Sequence, residues 1–506
     1  MALRLTVPSP LANFSMDSRP KSFQDWLAAL PFTQLFESAR LVRDELVKLN
    51  RSRIGADDRL KLLETFQPVL GRLRSEIAED YNTAPLPLPP ASRQAVSLAR
   101  ELLIEEANSY KLALLEKSGK VLLFGSRRQL IPLIEKVMRT LADSLTLSYY
   151  CYLPTPAGVW QELHELYRYA IDQQLIDPQV EPQSPGIAAI YKQAVLLALC
   201  DPYRLPRTEL PLVLRIAKEL APLAELRFGA LEGGQNLFLI DPESDKPPKP
   251  ITQPGIEWVS GNTWVFGTIP LVHRLSAALT LRETGAPPAP GSEYLRSQPV
   301  DLLRRLIQLW GAPPKRVFRR QPGQATVDVY IGIQRIARLL ESTAGSEQSD
   351  LATAPDEDSA LREWDVMNQS AGGLKLRGQP TEPTTISVGE ILAVQYRGML
   401  GISVGAIRWA HTFDDSTVEF GVQMLSPRAE AVSLEATIGG RGIATRALLL
   451  PELANLQQPA ALITGPHCFD EQREFRLTDH DRMLTIRATH LVEKTSCFEL
   501  FRFTAS

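Results

Sequence analysis

The sequence predicts an α+β multidomain protein: an N-terminal helical bundle or solenoid, then an antiparallel β-barrel, then a second small β module. Three observations carry that expectation. Apolar residues recur at helical spacing from Phe32 to Leu223. From Ala325 onward, short alternating runs are separated by Gly, Pro, Asn and Asp at intervals of about ten residues, a pattern typical of small antiparallel barrels and sandwiches. The chain of 506 residues is 44% hydrophobic, enough for about two to four domains with cores of their own.

The helical region is read in order. A short helix carries Phe23, Trp26 and Leu27 and ends by Pro31. Leu35, Phe36, Ala39, Val42, Leu46 and Leu49 then share one face of the next helix. A third runs from Asp57 to Tyr81, with Asp57 or Asp58 as its cap and a kink at Pro68. The proline-rich run 84–90 reads as a stiff connection rather than a polyproline ligand. Further helices are expected at Ser92 to Lys117, Arg127 to Tyr149, Ala157 to Leu175, Ile187 to Leu199 and Pro211 to Leu223. Trp160, Leu163 and Tyr167 match the opening of a tetratricopeptide repeat. No second copy follows at a fixed period, so the three are read as the buried side of one amphipathic helix.

The pattern changes at Leu226. Phe228, Leu237 to Ile240, Trp258 and Val259, and Trp264 to Phe266 read as short strands around a proline-rich loop, Pro242 to Pro254. Helices at Thr268 to Glu283 and Glu293 to Trp310 follow, separated by a Pro/Gly-rich hinge at Ala286 to Gly291. These signals divide the chain into a helical domain (20–225), a mixed α/β connecting segment (226–312), a barrel (313–427) and a C-terminal β module (428–506).

Within the barrel region, Lys315, Arg316, Arg319 and Arg320 form a basic cluster directly ahead of the strand-like run Ala325 to Ile331. Asn368, Ser370 and Gly373 lead into a second alternating run, Leu374 to Leu376. Ile391 to Tyr396, Val404 to Trp409 and Val418 to Leu425 follow as strands. The ordered pair, Arg316 and Arg320 spaced Arg-x-x-x-Arg and then Asn-x-Ser-x-x-Gly, resembles the PilZ domain, the bacterial receptor for cyclic di-GMP. The Trp409 strand and the strand from Glu419 to Gln423 resemble the later strands of that barrel. The resemblance covers about a quarter of the chain, and what precedes it is a long helical region. It implies cyclic di-GMP as ligand, with no separate cofactor.

The residue types suit such a ligand. Two permanently charged phosphates and two guanine edges match the guanidinium fork and its flat stacking face. By this resemblance Arg316 and Arg320 clamp phosphate and stack on guanine, with Arg319 and Lys315 as second choices because they share the same spacing. Asn368 and Ser370 supply short donors and acceptors for a base edge, and Gly372 and Gly373 let the backbone approach closely. Each charge-assisted bond contributes about 1.5–3 kcal/mol. The bland readings are a solvated basic face and a turn. The segment Ser342 to Ala360 carries Glu347, Asp350, Asp356, Glu357 and Asp358 without balancing base, and reads as a mobile loop that screens the basic site.

Other chemistries are weaker. A net charge of −3 gives no global basic surface for nucleic acid. The four cysteines lack paired spacing and suit a reducing cytoplasm. The N-terminal residues lack an apolar core of signal-peptide length, and no run reaches about eighteen apolar residues, so no membrane span is expected. The six histidines are dispersed, so no metal site is expected. The Walker phosphate loop is missing. Gly439, Gly440 and Gly442 read as a hairpin turn. Gly401, Ser403 and Gly405 match a nucleophile elbow, but strand-like residues flank them on both sides.

The sequence therefore points to a non-enzymatic cytoplasmic effector. By the resemblance it is expected to bind cyclic di-GMP and to pass that state on through a change in domain arrangement, expected as compaction in small-angle scattering, or through a protein partner of the helical region. The rival from another class is a ligand-independent helical scaffold with a degenerate PilZ domain; a serine hydrolase at Ser403 is the third reading.

Overall fold

The computed structural model describes residues 3–11, 20–124, 127–176, 186–228, 237–251, 263–311, 319–345, 361–380, 386–399, 401–413, 416–437, 444–479 and 482–505. The chain forms two compact units. One comprises Met1–Ala84, Leu88–Pro202 and Arg207–Lys315; the other comprises Pro85–Pro87, Tyr203–Pro206 and Arg316–Ser506.

The first unit opens with α1 (Pro20–Ala28), α2 (Leu35–Arg51), α3 (Ala56–Asn82), α4 (Pro90–Phe124), α5 (Ile131–Tyr150), α6 (Val159–Asp172), α7 (Gly186–Leu199) and α8 (Leu210–Leu220). The apolar spacing of α2 buries Ala39, Val42, Leu46 and Leu49 completely. The long α4 packs against α2, α3 and α5. A buried polar node locks that arrangement. Asn50 Nδ2 donates to the Glu105 carbonyl at 2.7 Å, Ser109 Oγ donates to Asn50 Oδ1 at 2.6 Å, and Arg59 Nη1 donates to the Leu49 carbonyl at 2.6 Å. Buried polar groups of this kind are costly unless paired, and here they are.

Two details differ from the sequence reading. The cap position of α3 is Gly55, so Asp57 and Asp58 sit in the first turn, where they favour the helix dipole without capping. The expected helix Glu293 to Trp310 is broken at Pro299 into α10 (Glu293–Arg296) and α11 (Val300–Trp310), because proline disfavours helix in the residue before it. Leu86 and Leu88 in the proline-rich run are both buried, which fits a packed connection and not a presented ligand.

Trp160, Leu163 and Tyr167 are all buried along α6, as one amphipathic face requires. The N-terminus of α6 is held by Asp245, whose carboxylate accepts from Gly158 N at 2.6 Å, Trp160 N at 3.0 Å and Gln161 N at 3.2 Å. Beside it lies a four-stranded sheet of β1 (Glu225–Phe228), β2 (Leu237–Ile240), β3 (Lys249–Pro250) and β4 (Trp264–Gly267), in the order β1-β4-β2-β3. The strand expected at Trp258 and Val259 lies outside the described residues. α9 (Ile269–Glu283), α10 and α11 complete the unit.

The second unit holds two closed six-stranded barrels. The first is built from β6 (Thr326–Ile331), β7 (Leu361–Ser370), β8 (Gly373–Gly378), β9 (Ile391–Tyr396), β10 (Ile402–Thr412) and β11 (Val418–Ser426). Its strands run β7-β6-β9-β10-β11-β8, and β8 pairs back onto β7. Inside, Trp364 meets Phe420 edge-on at 4.9 Å. A short strand, β5 (Gln321–Pro322), pairs with the distal half of β7, on the edge that β6 leaves open. Between β6 and β7 the structure adds α12 (Ile333–Gly345), so Ser342 to Gly345 are helical rather than loop. Ser342 Oγ and Thr343 Oγ1 both bond back to the Leu339 carbonyl, at 2.8 and 3.1 Å, as short hydroxyl side chains do within helices. The rest of the acidic spacer, 346–360, lies outside the described residues.

The second barrel comprises β12 (Glu430–Ala436), β13 (Thr445–Leu450), β14 (Ala461–Thr464), β15 (Glu474–Asp479), β16 (Arg482–Lys494) and β17 (Glu499–Ala505), closed in the order β12-β13-β14-β17-β16-β15. It has its own interior of Leu434, Leu462, Phe475, Ile486 and Phe501. A second cluster is shared between the barrels: Tyr330, Ile336, Ile391 and Val404 from the first pack with Leu448, Ile463, Phe498 and Leu500 of the second. Arg408 of β10 also grips the Glu493 carboxylate of β16 with two N–H groups. The C-terminal module is thus a separate barrel fused to the first through apolar core.

Candidate ligand site on the first barrel

In β8, Leu374 and Leu376 point into the barrel, which leaves Gly373, Lys375 and Arg377 on the outer face. Residues directly opposite in an antiparallel pair share a face. Val366 pairs with Leu376 and is buried with it. Strict alternation along β7 would then send Asn368 and Ser370 inward as well. A bulge between Val366 and Asn368 prevents this. It pairs Asn368 with Lys375 and Ser370 with Gly373, so both motif residues belong to the outer face.

The motif's two-residue turn, Ala371 and Gly372, joins β7 to β8. Ser370 Oγ donates to the Gly373 carbonyl at 3.3 Å, and the Gly372 carbonyl accepts from Met424 N at 3.1 Å. A Cβ on Gly373 would lie 2.3 Å from the Val422 carbonyl oxygen. The glycine is therefore demanded by the close approach of β11 and needs no ligand to explain it.

The arginines reach this face through β5. Gln321 pairs with Gln369 and Pro322 with Asn368. Gly323 N donates to the Met367 carbonyl at 3.3 Å. A Cβ at Gly323 would come within 2.4 Å of the Val366 carbonyl oxygen, so only glycine allows the segment to lie this close. Arg320 comes one residue before the Gln321–Gln369 pair, on the Ser370 side, and Arg319 precedes it; both are exposed. Lys315 and Arg316 lie outside the described residues.

Three family models match this chain in succession. The N-terminal domain of the cyclic-di-GMP receptor FimW covers residues 21–230, its middle PilZ domain covers 237–337 and 334–431, and its C-terminal β-barrel domain covers 431–506. The chain belongs to the PilZ-domain family of cyclic di-GMP receptors. Cyclic-di-GMP receptor FimW of Pseudomonas aeruginosa is 24% identical over 583 aligned positions, spanning 99% of this chain and 93% of that protein. No solved structure matches.

On this PilZ barrel, the outer face continues past the motif. Lys375 Nζ lies 2.7 Å from Glu419 Oε2 and 5.9 Å from the Trp409 ring centre. Arg377 lies over the Phe413 ring at 5.9 Å and 4.0 Å from Glu419 Oε1. Trp409 lies flat across Gly421, where an added Cβ would fall 1.8 Å from the indole nitrogen. Residue type and spacing alone do not single out Lys375. Its position two residues past Gly373, in an alternating strand, was the signal that could have found it.

Ser403 is the second residue of β10 and the chain continues from it as strand, so no strand-to-helix elbow presents it. The glycine cluster Gly439, Gly440 and Gly442 lies outside the described residues. Among the described residues, no helix is long and apolar enough to cross a membrane.

Proposed function

We infer that the protein is a cyclic di-GMP-binding signalling effector whose dinucleotide lies on the outer face of the PilZ barrel. The β5–β7 pairing supports this most directly, because it ties the arginine segment to the strand that carries Asn368 and Ser370. Arg316 and Arg320, with Arg319 and Lys315 as alternates, engage phosphate and guanine. Asn368 and Ser370 address a base edge. Gly373 serves by clearance, keeping the hairpin flush with β11.

One of the points at which the chain passes between the two compact units lies between Lys315 and Arg316, so the arginine segment is one of the covalent connections between them. A ligand that orders this segment biases the arrangement of the units by its differential affinity for the possible arrangements. Partner binding by the helical unit is the second output of the same switch. The role is non-catalytic and cytoplasmic, in keeping with four free cysteines and a serine motif confined to a strand.

Titration calorimetry with cyclic di-GMP tests the assignment. Arg316→Ala/Arg320→Ala is expected to weaken binding by at least about one to two decades. Unchanged affinity in that variant would remove these arginines from the site. Small-angle scattering with and without saturating dinucleotide tests the coupling, and superimposable curves would dismiss it.

A further inference from the structure

The second unit holds a groove of about 770 Å³ that shares no lining residue with the dinucleotide face. Ile333 at the start of α12, Ala436 and Pro466 give it an apolar floor, with Leu434 and Phe475 of the barrel interior behind it. Arg335, Arg338, Arg446 and Arg473 line it as well, while Glu390 is its one acidic lining residue.

Four guanidiniums around one carboxyl need an account, because surface arginines ordinarily find carboxylate partners. Arg446 is paired with Glu341 at 3.1 Å, and Arg473 donates to the Cys468 carbonyl at 2.7 Å. Arg335 and Arg338 have no carboxylate partner among the described residues; Arg338 Nε reaches only the Gln334 carbonyl, at 3.4 Å. Among the described residues, Glu390 makes no ion pair with any of them. Its carboxylate accepts from its neighbour Ile391 N at 3.0 Å, and burial raises its pKa. The groove also takes in Gly332 and Ile333 at the N-terminus of α12, whose dipole adds partial positive charge at the same end.

An apolar floor beside Arg335 and Arg338, which have no carboxylate partner among the described residues, suits an anion with a flat, apolar body. The volume lies within the range of small-molecule sites, about 300–1,000 Å³. We propose that this groove is a second ligand site, which binds a small organic phosphate of nucleoside-monophosphate size. The ring lies on Ile333, Ala436 and Pro466, and the phosphate is held by Arg335 and Arg338. Arginine suits this role because its fork matches phosphate oxygens in pairs.

The test is calorimetry on the full chain, with guanosine 5′-monophosphate and inorganic phosphate as probes. The monophosphate is expected to bind at one site per chain, at least about tenfold more tightly than inorganic phosphate. Arg335→Ala/Arg338→Ala is expected to weaken it by about tenfold or more, with thermal midpoint unchanged because both side chains lie at the surface. Binding is expected to persist in protein saturated with cyclic di-GMP. Three results would each overturn the proposal: no heat at millimolar probe, undiminished binding in the double variant, or displacement of the probe by cyclic di-GMP. Equal affinity for inorganic phosphate would also overturn it, since the floor would then contribute nothing. If cyclic di-GMP itself fails to bind, the PilZ-face reading falls, while the titration with monophosphate still reads out on its own.

Discussion

Asn368 faces Lys375 across the β7–β8 ladder, because one extra residue, Met367, separates it from the buried Val366. The pairing puts an ammonium beside the motif, and that ammonium is held at 2.7 Å by Glu419. Lys375→Met is expected to lower cyclic di-GMP affinity by about fivefold, and Glu419→Gln, which releases the ammonium, to raise it slightly. Calorimetry on both variants checks this; opposite signs would mean that Glu419 contacts the ligand directly.

Gly421→Ala tests how the outer face is built. The added methyl would overlap the Trp409 indole, so overpacking is expected to cost about 1–3 kcal/mol and lower the thermal midpoint. Trimming the ring as well, in Gly421→Ala/Trp409→Ala, should cost less than the sum of the single changes. Additive losses would show that the indole does not rest on the glycine.

His164 predicts a pH dependence in the helical unit. Its ring is fully buried; Tyr191 Oη lies 2.6 Å from Nδ1, and the Lys246 carbonyl 3.1 Å from Nε2. A carbonyl can only accept, so Nε2 carries the proton and the tyrosine hydroxyl donates to Nδ1. Burial lowers the pKa, outweighing Asp241 and Asp245, which favour the charged form. The unfolded chain therefore takes up a proton below about pH 6.5 that the folded unit resists. The stability contribution is whole above that pH and declines as pH falls through it. Denaturant midpoints measured at steps between neutral and mildly acidic pH should show a smaller decline in His164→Gln than in the wild type.

The two barrels should not fold apart. Leu448, Ile463, Phe498 and Leu500 complete the cluster around Tyr330, Ile336 and Val404, so a fragment ending at Pro427 would expose that surface. Such a fragment is expected to aggregate or to lack a cooperative thermal transition, whereas the fragment 316–506 should unfold cooperatively. A stable, monomeric 316–427 would refute this.

Local patterns carried most of the strand and helix assignments. The helices around Val42, Phe66 and Leu102 and the strands from Ile391 and Val418 were legible because burial imposes a period on the chain. The helix α12 was not, since it lies between a strand and the acidic spacer within a run otherwise patterned as barrel strands. The break at Pro299 is hidden in the sequence because the apolar spacing continues on both sides of it. In the site, the arginines and Asn368-x-Ser370 stood out as residue types, while Lys375 looked like an ordinary alternating position.

By itself, the sequence determined which residues have suitable chemistry and roughly where each strand lies, because side-chain type and two-residue alternation are local properties. Only the tertiary structure decided which of them meet. The face that Asn368 and Ser370 occupy depends on a bulge that breaks alternation, and Gly323 and Gly373 are required by strands far off in sequence. The guanidinium-lined groove depends in the same way on α12 and two barrels brought together by a shared core, which no single segment records.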